Sequence, residues 1–233
     1  MKKKTQLLIF PLILMGMLLM LTNSCNKDEE KDDPAQGNTV TDIDGNVYHT
    51  VTIGTQVWML ENLKVTKYND GTAIPLVTDG TAWTDLTTAG FCWYDNDEAT
   101  YKNAYGALYN FYAVNTGKLS PTGWHVPSDA ELTTLTSYLG GESVAGGKLK
   151  EVGTTHWQSP NTGATNESGF TILPAGYRYM SSFTTNGKNG FLWSTTEESG
   201  DYAWVRNIGY DRIDVSRYGG YKGTGWSVRC VKD

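Results

Sequence analysis

Cysteine and histidine are scarce in this 233-residue chain. The three cysteines are Cys25, Cys92 and Cys230, and the three histidines are His49, His125 and His156. No H-x-x-x-H and no clustered Cys/His spacing occurs, so a zinc site is not expected. Ser168 and Ser194 lack the glycine elbow of a hydrolase nucleophile and an obvious base partner. Long apolar runs are missing after residue 21, so no second segment is a candidate membrane span. There is no basic run either. Lysine and arginine number 19 against 25 aspartates and glutamates, for a net charge of −6, which makes nucleic acid a poor partner. Catalytic residues, a metal site and a cofactor are therefore not assigned.

The N-terminus does carry a signal. Lys2 to Lys4 precede the uncharged run Leu7 to Leu21. Its 15 residues fall short of the roughly 20 that span a bilayer as a helix. A basic start and a short apolar core describe an export signal over residues 1–24. The run ends at Thr22-Asn23-Ser24-Cys25, which resembles a bacterial lipoprotein signal and implies acylation of Cys25. Removing 24 of 233 residues leaves 209, with 16 basic and 25 acidic side chains, a net charge of −9. Residues 25–39 read as a tether, because Asn26 to Asp33 is too charged to form a core. Lys27 followed by Asp28, Glu29 and Glu30 resembles an acidic surface-export signal of Bacteroides-lineage lipoproteins. The expected location is the outer membrane, lipid-anchored and facing outward, with the acyl chains as the only membrane contact.

With Cys25 lipidated, Cys92 and Cys230 remain, and two leftover cysteines in an exported chain pair more often than not. The alternative is two buried free thiols.

Eight Trp, 14 Tyr and 26 Gly suggest short strands, turns and long loops. Turn signals at Asp44-Gly45 and Gly54-Thr55 predict a hairpin over Val47–Ile53 and Val57–Leu63. Asp42, Asp44 and Asn46 look like the start of a calcium loop, but the glycine is misplaced and the closing glutamate absent, so a turn is the better reading. Helical spacing of Tyr105, Leu108, Tyr109 and Tyr112 predicts a helix within Ala104–Val114. Ser128 and Glu131 form a capping box ahead of Leu132, Leu135 and Leu139, and Gly140 stops that helix. Further strands are expected near 148–152, 169–173, 190–194, 202–208 and 227–231.

Two stretches are candidates for binding. In FCWYDNDEATY, Trp93 and Tyr94 are suited to stack on a sugar, and Asp95, Asn96 and Asp97 to bond its hydroxyls or hold calcium. The competing reading buries Trp93 and spends the acids on a turn. In the run from Ser199 to Trp226, Tyr202, Trp204, Arg206, Tyr210, Arg212 and Tyr218 are residue types common at recognition surfaces, and some of them must be core. The carboxylate pairs Glu197–Glu198 and Asp95–Asp97 define no glycosidase by themselves, since that depends on spatial separation. His125, in GWHVP, is expected to be structural.

The blocks TDIDGNVYHTVTIGTQVWMLENLK, YGALYNFYAV, PTGWHVPSDAEL, GGKLK, ATNESGFTILPAGYR, LWSTTE and SVRCVKD occur in that order. Together they resemble the Fibrobacter succinogenes major paralogous domain, over about Thr41 to Asp233. The domain is accordingly set at residues 40–233. The resemblance implies an α+β, C-type lectin-like or formylglycine-generating-enzyme-like fold: two helices on a small irregular antiparallel sheet, with long loops and neighbouring termini. It also implies a cysteine just before the PTGWHVP block, where this chain has Ser120, so a Cys92–Cys230 bridge would be a replacement. No reactive cysteine pair of the formylglycine type is present. The functional expectation is a non-catalytic domain that binds an extracellular glycan or a surface protein. The alternatives are a structural part of a surface complex or fimbria-like adhesin, and an enzyme of the formylglycine-generating or glycoside-acting type.

Overall fold

The computed structural model describes residues 38–233. The expected export signal, Cys25 and residues 26–37 of the expected tether lie outside the described residues.

A single carboxylate shapes the first turn. Asp42 Oδ1 accepts from the backbone N–H of Asp44 and Asn46 at 3.0 and 2.9 Å, and Oδ2 accepts from the Tyr48 hydroxyl at 2.6 Å. That joins β1 (Thr39–Thr41) to β2 (Val47–Ile53), which turns at Gly54-Thr55 into β3 (Gln56–Met59). The opening hairpin forms where its turn residues predict, with a second strand that ends at Met59 rather than Leu63, and Asp42 closes a turn. A long irregular segment follows, with α1 (Gly80–Thr84), β4 (Phe91–Cys92), a 3-10 turn (Tyr94–Asn96) and α2 (Glu98–Tyr105).

The expected Ala104–Val114 helix is broken. Gly106 at φ 72° ends α2, Leu108–Tyr109 forms strand β5 against β4, and only Phe111–Val114 (α3) is helical. Gly106 has no room for a side chain, because a Cβ there would meet Asn62 and the Leu63 carbonyl at 2.8 Å. Aromatic spacing mimicked a helix where tertiary contact sets a strand.

After β6 (Trp124–His125) comes α4 (Asp129–Tyr138), with the full reciprocal capping box between Ser128 and Glu131. Next is α5 (Glu142–Leu149), which occupies the start of the segment expected to be a strand. Its Gly146 and Gly147 are not helix breakers here. A Cβ on either would strike the backbone carbonyl of Asp214 or Gly163, so glycine lets the helix lie directly on the neighbouring chain. The expected strand at 169–173 contributes a single bridge, Ile172 to Lys150.

The remaining strands are β7 (Tyr177–Tyr179), β8 (Ser182–Thr184), β9 (Asn189–Ser199), β10 (Tyr202–Gly209), β11 (Val215–Tyr221) and β12 (Val231–Lys232). They complete a mixed α/β, sheet-rich architecture with several small antiparallel sheets, in the orders β1-β2-β3-β12-β6, β11-β10-β9, β4-β5 and β7-β8. Among the described residues, five short α-helices decorate it, rather than two.

The three-stranded sheet is the organising layer. Phe191, Trp193, Ala203 and Val205 face one apolar cluster with Phe111, Tyr109 and Trp226. Leu192, Ile208 and Val215 face the other, against Leu132, Leu135, Ala145 and Leu149 of α4 and α5. Alternate residues of a strand point to opposite faces, so β9 is apolar on both.

Candidate ligand-binding cleft

Both sugar-stacking candidates of FCWYDNDEATY are interior, as the competing reading had it for Trp93. Trp93 is 2% exposed and packs edge-on to Phe91 at 5.5 Å, with Lys102 Nζ 5.3 Å from its ring. Tyr94 is buried between Tyr101 and Phe183. Neither ring offers a face to a ligand. The acids that follow build the chain turn. Asp95 and Asn96 take positive φ, Asn96 Nδ2 donates to the Thr78 carbonyl at 3.0 Å, and Asp97 caps α2 through Thr100 N at 3.1 Å. No group of three His, Cys, Asp or Glu side chains converges among the described residues.

The expected Cys92–Cys230 bridge is absent as well. Both thiols are free and buried, and they sit in different clusters. Cys92 packs with Trp83, Tyr94 and Leu108, and Cys230 with Tyr48, Met59 and Leu63. Burial pushes the Cys92 thiol up to about 12, against a partial counter-pull from Arg178, and raises Cys230 further. Ser120, where the family resemblance implies a third cysteine, donates instead to the Trp124 carbonyl at 2.7 Å.

The second stretch divides. Arg206 is 1% exposed and lies beneath α4, bonded to Asp129 and Thr133, so it is not a contact residue. Trp204 is half-buried, with the Arg217 guanidinium 3.4 Å from its ring centroid. Arg212 is held by Asn207 and Asp214. Tyr202, by contrast, is exposed and belongs to a cleft of about 590 Å³.

That cleft lies between the β7–β8 hairpin and β11. Its walls are Tyr179, Met180, Tyr202, Tyr218 and Tyr221, each between 37% and 46% exposed. Its floor is Tyr177, Phe191 and Trp226, of which the last two stack at 5.6 Å and 20°. Gly220 makes the floor possible: any Cβ there would collide with the Trp226 ring. Tyr221 is flanked by Tyr179 at 6.4 Å and by Tyr202 at 6.3 Å, with ring planes crossed at 80° and 67°. Exposed apolar patches of this kind mark interaction sites. Of the walls, Tyr202 and Tyr218 are among the residues picked out in the sequence for ligand contact. The YRYM run at 177–180 was an available signal, since alternate tyrosines on a strand share a face.

His125 has a structural place. Its Nδ1 is 2.7 Å from Asp233 Oδ1 and its Nε2 is 2.7 Å from Glu131 Oε1. Burial pulls its pKa down, but hydrogen bonds to Asp233 and Glu131 outweigh that and raise it above 6.5. A raised folded pKa stabilises fully below the unfolded value and loses that stability as pH rises through the folded value. His125→Gln should therefore lower the urea midpoint more at pH 5.5 than at pH 9. Equal losses at both pH values would refute the linkage.

Comparison with known proteins places this geometry in a family. The model of the Fibrobacter succinogenes major domain matches residues 51–232. The chain belongs to the Fibrobacter succinogenes major domain family. No curated protein and no solved structure matches it.

The blocks of this Fibrobacter succinogenes major domain meet in space. LWSTTE distorts β9, where the register with β10 shifts between Val205 and Tyr202. The distorted strand grips the start of α4: Thr195 N donates to the Pro127 carbonyl at 2.8 Å, and Thr196 Oγ1 accepts from Asp129 N at 3.0 Å. WMLENLK meets SVRC through Asn62, whose Oδ1 accepts from buried Arg229 at 3.0 Å. Tyr109 of YGALYNFYAV exchanges two backbone bonds with Trp226. These blocks hold the domain together, and the tyrosine cleft is built at its edge.

Proposed function

We propose that this chain is an outer-membrane lipoprotein, anchored through Cys25 and exposed at the cell surface, whose domain binds an extracellular glycan in the tyrosine cleft. The observation that carries the reading is the cleft itself: four partly exposed tyrosines and a methionine over an aromatic floor. Aromatic faces bind the apolar faces of sugars while phenol hydroxyls bond their rims. Neither cysteine nor histidine lines it, which supports a binding role over the formylglycine-generating alternative. The lectin-like architecture belongs to this proposal too, and is supported by the first and last strands sharing one sheet. A role in a surface complex or fimbria-like assembly is the second reading. It is favoured by β11, which among the described residues pairs on one side only, the arrangement that strand addition uses.

The test is binding of the full chain in detergent to plant, mucin and bacterial polysaccharides. Tyr202→Ala and Tyr221→Ala should each weaken a saturable interaction about tenfold or more. Tyr138→Ala, 65% exposed and outside the cleft, should leave it unchanged. A blank panel from folded protein would sink the glycan reading and favour a protein partner.

A further inference from the structure

The tyrosine cleft is uncharged. Among the described residues that line it, none is Lys, Arg, His, Asp or Glu. The cations beside it are turned elsewhere. Arg178, between Tyr177 and Tyr179 on β7, donates to the carbonyls of Val77, Thr78 and Asp79. Lys222, next after Tyr221, pairs with Glu197 at 3.1 Å and donates to the Gly200 carbonyl at 2.7 Å. The phenols add no charge at neutral pH. Burial pushes the Tyr218 hydroxyl up to about 12, with nearby Tyr177 adding to the shift, and burial raises Tyr221 as well. A ligand carboxylate would lose its water in this cleft and meet no counter-charge.

The hydrogen-bonding groups of the cleft are neutral and free. Buried Tyr48 and Tyr109 spend their hydroxyls on Asp42 and on the Val65 carbonyl. Among the described residues, the hydroxyls of the cleft residues Tyr177, Tyr179, Tyr202, Tyr218 and Tyr221 make no such bond. Each can donate and accept, which matches the hydroxyls of an uncharged sugar.

The walls do not form a platform. The Tyr221 ring is crossed by Tyr179 at 80° and by Tyr202 at 67°, with centroids 6.4 and 6.3 Å away, and Phe191 and Trp226 are buried beneath. Rings must be coplanar to lie together on a flat surface. A crystalline polysaccharide face would therefore meet one ring and only the edges of the others. A single chain offers ring faces and hydroxyl edges in different directions and can touch all three.

We infer that the cleft holds a single soluble chain of uncharged sugar units, with its ring faces against Tyr179, Tyr202 and Tyr221 and its hydroxyls on their phenols. The inference rests on the glycan-binding reading and narrows it to one class of glycan.

The experiment uses the full chain in a detergent without a sugar headgroup. Galactomannan and mixed-linkage β-glucan (soluble and neutral) and polygalacturonate and alginate (soluble and acidic) are titrated calorimetrically. Microcrystalline cellulose and chitin are tested by pull-down. At least one neutral soluble polymer should bind about tenfold tighter than every acidic and crystalline one, and 500 mM salt should change its affinity less than about twofold. Tyr202→Phe and Tyr221→Phe keep the rings and should each weaken it about threefold through the lost hydroxyl. Tightest binding by an acidic or crystalline polymer, abolished by Tyr221→Ala, would overturn the inference and leave the glycan reading standing. A tenfold loss in salt, or phenylalanine variants that bind as the parent does, would overturn it in the same way. If no polysaccharide binds the folded chain, or if binding survives Tyr202→Ala and Tyr221→Ala, both fail.

Discussion

Asp129→Ala is expected to destabilise the domain by about 3 to 5 kcal/mol, the cost of leaving a buried charge without its partner. Asp129 is the first residue of α4, so its charge already favours the helix N-terminus. Its carboxylate accepts from Arg206 Nη1 at 2.7 Å and from Arg217 Nε and Nη2 at 3.0 and 2.8 Å. Arg206 is 1% exposed, whereas Arg217 reaches solvent. Truncating Asp129 strands the Arg206 guanidinium between α4 and the sheet, with Thr133 and a backbone carbonyl as its remaining acceptors. The pair also carries a pH signature. Burial raises the Asp129 pKa, but the bonds from Arg217 and Arg206 more than offset this and leave it below 3.8. A lowered folded pKa gives stability that is present above the unfolded value and is lost as pH falls through the folded value. Urea titrations of Asp129→Ala and of Asp129→Ala with Arg206→Met measure the effect. The double variant should recover much of the loss, because it removes the stranded charge. A single-variant loss under about 1 kcal/mol would show the pair to be no stronger than a surface contact.

Arg178→Met should cost about 4 kcal/mol or more and remove ligand binding with it, since a buried side chain that serves four main-chain carbonyls at once is lost. Arg178, on β7 between the cleft residues Tyr177 and Tyr179, is 1% exposed. Its guanidinium donates to the carbonyls of Val77, Thr78 and Asp79 at 2.7, 3.1 and 3.0 Å, and to that of Met180 at 3.3 Å. It also lies over the rings of Trp83 and Phe183. The irregular segment ahead of α1 has no strand partner for those carbonyls, so one side chain supplies what a sheet would. Arg178→Lys should rescue little, because an ammonium is a point donor and not a planar fork. Thermal melts and limited proteolysis around Thr78 report the effect. Full stability in the lysine variant would show that charge alone suffices.

Buried cations explain why the loops were hard to read in the sequence. Lys150, fully buried, donates to the carbonyls of Thr162, Gly209 and Arg212. Arg229 serves Phe170 and Asn62 in the same way. Each ties together segments separated by tens of residues. No periodicity announces such a bond, and a lone lysine or arginine ordinarily implies a solvated surface. The same blindness placed Arg206 at a binding surface and left Trp93 and Tyr94 undecided between a sugar and the core.

Local rules were legible wherever the physics is local. The Ser128–Glu131 capping box, the Gly54-Thr55 hairpin and the Asp42 turn each rest on groups within a few residues of one another, and each stands in the structure. The family, too, was legible, because seven short blocks in order are a property of the chain alone. What the tertiary structure decided was which aromatics face outward. Tyr94 and Tyr202 are the same side chain in similarly polar runs, yet one is covered by Tyr101 and Phe183 and the other opens onto a cleft. Burial depends on what the rest of the chain brings alongside, so composition could supply fourteen tyrosines but only the packing of β7, β10 and β11 could gather the cleft.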